Sequence, residues 1–231
     1  VPIAASLAAH PLFLAQSVEA RPYALWILAT ALIAESLREG RGTGALLAAG
    51  AAVALCSVHY FGVLSIAAVA LAAGAHARFA RHASWRDAAI AVAPLAAGAL
   101  ALLALVPLAH AQLAATGGRS WVPPASTGEI ASFLRFPWGW RPAALCILAG
   151  ALMLVARRIP AVVRRLPPAP RITIGVAEGA LLASAFVPVL VVVITLFYKP
   201  VLVLRYEAPA VLAVATLCAL AVECLPMVLR W

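Results

Sequence analysis

The stretch DAAIAVAPLAAGALALLALVPL, residues 87–108, decides the fold. Its one charge, Asp87, stands at the first position, and 21 uncharged, mostly apolar residues follow. A helix needs about 20 such residues to cross the hydrocarbon core of a bilayer. Similar blocks lie on both sides of it. Spans are predicted near Tyr23–Leu37, Gly44–Val58, Phe61–Phe79, Asp87–Leu108, Pro142–Ala156, Thr173–Phe197 and Tyr206–Leu225, with the remnant of a further helix over Val1 to about Gln16. The expected architecture is all-α. It is a polytopic transmembrane bundle of one partial and about seven further helices, forming a single domain over residues 1–231. Spans shorter than the bilayer are served by local thinning or by their flanking residues.

Composition agrees with this reading. Of the 231 residues, 65% are hydrophobic and 11% are charged, and the mean hydropathy is +1.04. A water-soluble domain cannot hide that much apolar surface. A membrane β-barrel would alternate polar and apolar residues in short strands, and this chain does not. The formal net charge of +9 is not read as a nucleic-acid signal, because basic residues at helix ends are what membrane orientation requires. Cys56, Cys146, Cys218 and Cys224 fall inside apolar segments without metal or redox spacing and read as small buried residues. No metal ligands and no cofactor are assigned.

The loops set the orientation. Eleven basic residues fall on one side, in the groups Arg38 and Arg41, Arg78 to Arg86, Arg157 to Arg171, and Arg230. Six fall on the other: Arg21, Arg119, Arg135, Arg141, Lys199 and Arg205. The richer side is expected in the cytoplasm, with a proline-broken basic loop at 157–172. The opposite side carries the longest exterior loop, 110–141. In it Ser126 and Glu129 have capping-box spacing, and Ile130, Phe133 and Leu134 follow on one face. A short amphipathic helix on the outer membrane surface is expected there. Ser84 ahead of Asp87 predicts another helix cap. Pro94, Pro107, Pro188 and Pro209 are expected to kink or end helices.

The chemistry is concentrated at the exterior helix ends. Arg21, Lys199 and Arg205 would form a cationic pocket at the membrane–water boundary if their loops converge, suited to a phosphate whose hydrocarbon tail stays in lipid. The plainer alternative is that each snorkels to the headgroups. Glu19 with Arg21 and Glu207 with Arg205 are candidate local ion pairs. His59 and Tyr60 end one span, where they either contact a sugar or act as interfacial residues. Glu35, near Arg38 and Glu39, reads as a locally paired helix-end charge, and Glu178 and Glu223 read the same way. No nucleotide-binding loop, nucleophile elbow or metalloprotease helix motif is present.

Four pieces, in order, resemble one family. They are His10-Pro11 through Ser17, Glu19, Arg21, Pro22, Tyr23, Ala24 and Leu25; Val58-His59-Tyr60-Phe61; Ser120-Trp121-Val122-Pro123 with Pro124; and Leu204-Arg205-Tyr206 with Pro209. Together they look like the GT-C class of polyprenyl-phosphate-sugar-dependent glycosyltransferases, in the protein O-mannosyltransferase-like group that includes the lipid A aminoarabinose transferases. The resemblance implies a multi-pass protein of the bacterial cytoplasmic (inner) membrane that moves a sugar from a polyprenyl-phosphate donor to a lipid, glycan or protein acceptor on the extracytoplasmic side. It implies donor-phosphate contacts from Arg205, Lys199 and Arg21, and a substrate pocket lined by Glu19, His59, Tyr60, Trp121 and Tyr206. The family's catalytic acid sits in an earlier exterior loop that would precede Val1. No catalytic residue is therefore assigned in this chain, which is expected to be catalytically incomplete alone, and Glu19 does not replace that acid. The competing readings are a multi-pass transporter, which needs charge near mid-membrane or broken helices, and a non-catalytic membrane scaffold.

Overall fold

The computed structural model describes residues 22–39, 42–59, 61–115, 124–135, 141–156, 174–198, 201 and 203–224, and all regular structure among these is helical. The helices are α1 Pro22–Glu39, α2 Thr43–Val58, α3 Gly62–Ala75, α4 Trp85–Val92, α5 Ala96–Ala115, α6 Thr127–Arg135, α7 Arg141–Ala156, α8 Val176–Ala183, α9 Phe186–Phe197 and α10 Ala210–Cys224. A π-helical turn, His76–Ala80, extends α3, and a 3-10 turn, Ala93–Leu95, joins α4 to α5. A second 3-10 turn, Leu204–Glu207, precedes α10.

Three helical stretches are long and apolar enough to cross a membrane: Gly62–Ala80, Trp85–Leu108 and Val176–Phe197, of 19, 24 and 22 residues. The apolar helices at Thr43–Val58 and Ala210–Glu223 are shorter. Helix α1 has 18 residues, but Glu35, Arg38 and Glu39 crowd its last turns. Length and composition thus give three spans among the described residues, where the sequence pattern predicts about eight. The remnant over Val1–Gln16 lies outside the described residues.

The outward faces of these helices match an apolar surrounding. Leu100 and Leu103 on α5, and Leu145, Leu148 and Leu152 on α7, are each more than half exposed. Hydroxyls inside the helices turn back onto their own backbone. Thr30 Oγ1 donates to the Trp26 carbonyl at 2.9 Å, Ser57 Oγ to Val53 at 2.8 Å, and Thr216 Oγ1 to Leu212 at 2.7 Å. This satisfies a polar group without water.

Helix α1 packs along α2 and against α8, α2 packs along α5, α3 against α8, and α10 against α7 and α8. Small residues set the spacing of α2 and α5. A Cβ on Gly98 of α5 would strike the Ile66 side chain and come within 2.9 Å of the Ala52 carbonyl oxygen on α2, so the two backbones approach closely. Trp26, Ile33, Leu55, Val69, Leu95, Val187 and Leu212 are fully buried between the helices.

The prolines act near the breaks. Pro94 lies in the 3-10 turn between α4 and α5, Pro188 in the first turn of α9 after the break at Ser184–Ala185, and Pro209 just ahead of α10; Pro107 stays within α5. Both expected caps form. Ser84 Oγ accepts from the Asp87 amide at 3.1 Å, and Ser126 Oγ accepts from the Glu129 amide at 3.2 Å while Glu129 Oε2 accepts from the Ser126 amide at 2.7 Å. Helix α6 follows, as expected, but Phe133 is buried in the bundle core and α6 contacts α9. Part of its apolar face therefore covers protein.

At the opposite end from His59, Arg38 donates to Glu178 Oε1 at 2.5 Å, and its other terminal nitrogen lies 3.6 Å from Glu35. Glu178 Oε2 also accepts from the Gly175 amide at 3.1 Å. The residue expected to pair locally thus caps α8 and ties it to α1.

Candidate functional site

The start of α1, the α2–α3 junction and the turn before α10 meet at one end of the bundle. Gly62 makes the junction tight, because a Cβ there would sit 2.7 Å from the Leu55 carbonyl oxygen. The chain can therefore turn at His59, which is extended (φ −156°, ψ 127°), and start α3 three residues later. Tyr23 and Trp26 are three apart on α1 and so share a face. Tyr206 comes from the turn Leu204–Glu207.

These side chains form one aromatic cluster around His59. Its ring stacks on Trp26 at 5.0 Å between centroids, with planes 18° apart, and meets Tyr206 edge-on at 5.2 Å. Tyr23 lies 5.7 Å from His59 and 6.4 Å from Tyr206. Phe61 closes the group, edge-on to Tyr206 at 4.8 Å. These distances fall in the range of favourable aromatic pairing. The polar atoms are directed. The Trp26 indole N–H donates to Ser65 Oγ at 2.8 Å. His59 Nδ1 accepts from the Phe61 amide at 3.1 Å, so a neutral His59 carries its proton on Nε2.

Beside Tyr206, Glu207 is fully buried, and neither carboxylate oxygen has a hydrogen-bond partner among the described residues. The Arg205 side chain, its expected ion-pair partner, lies outside the described residues. Glu207 lies in the turn ahead of α10, and an isolated charge out of water is far costlier than a neutral acid.

No family model, curated protein or solved structure matches this chain.

Of the residues the sequence singles out, His59 and Tyr206 are brought together. Arg205 has its backbone in the same turn as Tyr206. Its side chain, and Glu19, Arg21, Tyr60, Trp121 and Lys199, lie outside the described residues. Trp26 and Ser65 are members that sequence reasoning missed. A helical projection from Tyr23 to Trp26 carried the signal for the first. Nothing local marks Ser65 or the burial of Glu207. Among the described residues no group of three or more His, Cys, Asp or Glu side chains could hold a metal ion.

Proposed function

We propose that this chain belongs to a membrane glycosyltransferase that moves a sugar from a polyprenyl-phosphate donor to an extracytoplasmic acceptor. The observation that carries it is the convergence of Tyr23, His59 and Tyr206 from three distant segments on one end of the bundle. Three of the four sequence pieces with glycosyltransferase character contribute to that cluster. Arg21 and Arg205 are the sequence neighbours of its tyrosines, two and one residues away. Aromatic rings offer a sugar flat apolar faces, His59 and the tyrosines offer hydrogen-bonding edges, and the neighbouring guanidinium groups suit a departing phosphate. In this reading the His59 end faces outward, about eight spans cross a bacterial inner membrane, and residues 110–141 and 157–172 lie on opposite sides.

Binding tests this without requiring turnover. The chain in neutral detergent should retain a polyprenyl phosphate, read by native mass spectrometry, in preference to a phosphatidylglycerol competitor. Tyr206→Ala should weaken retention at least about fivefold, equivalent to about 1 kcal/mol. Equal retention by the wild type and the variant would remove the cluster from the donor site.

A transporter is favoured by a different observation: helices broken at Ala93–Leu95 and at Ser184–Ala185, with the Ser184 hydroxyl buried and unpartnered among the described residues. Broken helices of this kind line substrate paths. Solute-dependent flux in proteoliposomes that Ser184→Ala abolishes would select that reading.

A further inference from the structure

The Arg38 end holds a cavity of about 420 Å³ between α1, α2, the end of α3 and α4. Its wall is made of small apolar residues, among them Ala45, Ala48, Ala73, Ala91 and Pro94, and its rim carries His76, Arg81 and Asp87. Gly42, Arg81, Ile90 and Ala91 are exposed, so the cavity opens sideways past α4. Its volume falls within the range of small-molecule sites, about 300–1,000 Å³.

The surroundings of the rim are positive and aromatic. The Arg78 guanidinium sits over Phe79 at 5.7 Å and over Trp85 at 5.3 Å, and its Nε is buried without a hydrogen-bond partner among the described residues. Phe79 and Trp85 are 66% and 68% exposed, an arrangement expected where a protein meets the headgroup layer. Arg86 is exposed one residue beyond Trp85. The one rim carboxylate, Asp87, accepts from Ser84 Oγ at 2.7 Å and stands in the first turn of α4, where the helix dipole offsets its charge.

We infer that this cavity binds one anionic phospholipid, its phosphate held at Arg81 and His76 and an acyl chain lying along the alanine wall. An apolar slot with Arg81 and His76 at its mouth, beside Arg78, Arg86 and exposed aromatic rings, matches a ligand that is charged at one end and hydrocarbon at the other. A free phosphate would leave the wall unused, and a zwitterionic lipid would leave the cations without a net counter-charge. This site is separate from the aromatic cluster and does not depend on the proposed transfer reaction.

The chain, purified in neutral detergent, is titrated with dioleoyl phosphatidylglycerol, dioleoyl phosphatidylcholine or inorganic phosphate, and bound lipid is counted by native mass spectrometry. Phosphatidylglycerol should be retained in preference to phosphatidylcholine. Arg81→Gln should weaken its retention about fivefold, the scale of one arginine near anionic lipid. Ala91→Phe, which fills the slot from an exposed position, should lower retention with an unchanged thermal midpoint. Arg135→Gln, a basic residue away from the cavity, should change nothing. Equal retention of the two lipids, protection by inorganic phosphate alone, or indifference to both Arg81→Gln and Ala91→Phe would overturn the assignment.

Discussion

The two ends of the bundle handle polar groups in opposite ways. At the Arg38 end, the carboxylates that cap or link helices are paired: Glu178 and Glu35 with Arg38, Asp87 with Ser84. At the His59 end, a fully buried carboxyl has no hydrogen-bond partner among the described residues and lies next to Tyr206 in a cluster of five rings. Paired, solvated charges cap helices and fix their packing at small net energy. A buried acid without a partner opposes folding, and groups held in that condition concentrate at functional sites. The comparison separates an end whose ion pairs brace helices from an end that buries an acid without a partner among the described residues.

The largest expected effect falls on Trp26. It is fully buried, stacks on His59 and donates to Ser65. Trp26→Ala should destabilise the chain by about 3–5 kcal/mol, as large core truncations do, and leave the Ser65 hydroxyl without its donor. The thermal midpoint in detergent reads this. A shift no larger than that of a surface substitution would show that the aromatic cluster is not a packed unit.

A smaller effect sharpens the role of Glu207. This residue is fully buried, with no hydrogen-bond partner among the described residues. Glu207→Gln keeps the shape and removes the ionisable group. Because a buried charge without a partner opposes folding, the variant's thermal midpoint in detergent at neutral pH should lie at or above that of the wild type. A clearly lower midpoint would mean that the carboxylate is paired in the folded protein.

Much of the helical layout was legible in the sequence. Hydrophobic runs bounded by charge place α1, α2, α7 and α3 taken with its π-helical extension within two residues of their observed bounds, because in an apolar solvent the helix must satisfy its own backbone. Ser84 and Ser126 announce their helices through short-range hydrogen bonds, which a local pattern encodes completely. Two features were less legible. The stretch Thr173–Phe197 reads as one apolar run, yet α8 ends at Ala183 and α9 starts at Phe186; Pro188 was the only local hint. The link between Arg38 and Glu178 spans 140 residues, and sequence spacing favours the local Glu35 instead. The site was half legible. His59 and Tyr206 lie in recognisable pieces, whereas Trp26 and Ser65 join them through tertiary packing that neither hydropathy nor spacing records.

The most direct test compares the two ends in one assay. Sugar transfer from a polyprenyl-phosphate donor is measured in membranes carrying the complete protein, with His59→Ala beside Arg38→Ala at matched amounts of folded protein. The account predicts at least about a tenfold loss for His59→Ala, some 1.4 kcal/mol of transition-state stabilisation. Arg38→Ala should stay within about twofold, since a half-exposed ion pair contributes about 0–1 kcal/mol. Full transfer by His59→Ala, or an equal loss in both variants, would contradict the assignment of chemistry to the His59 end.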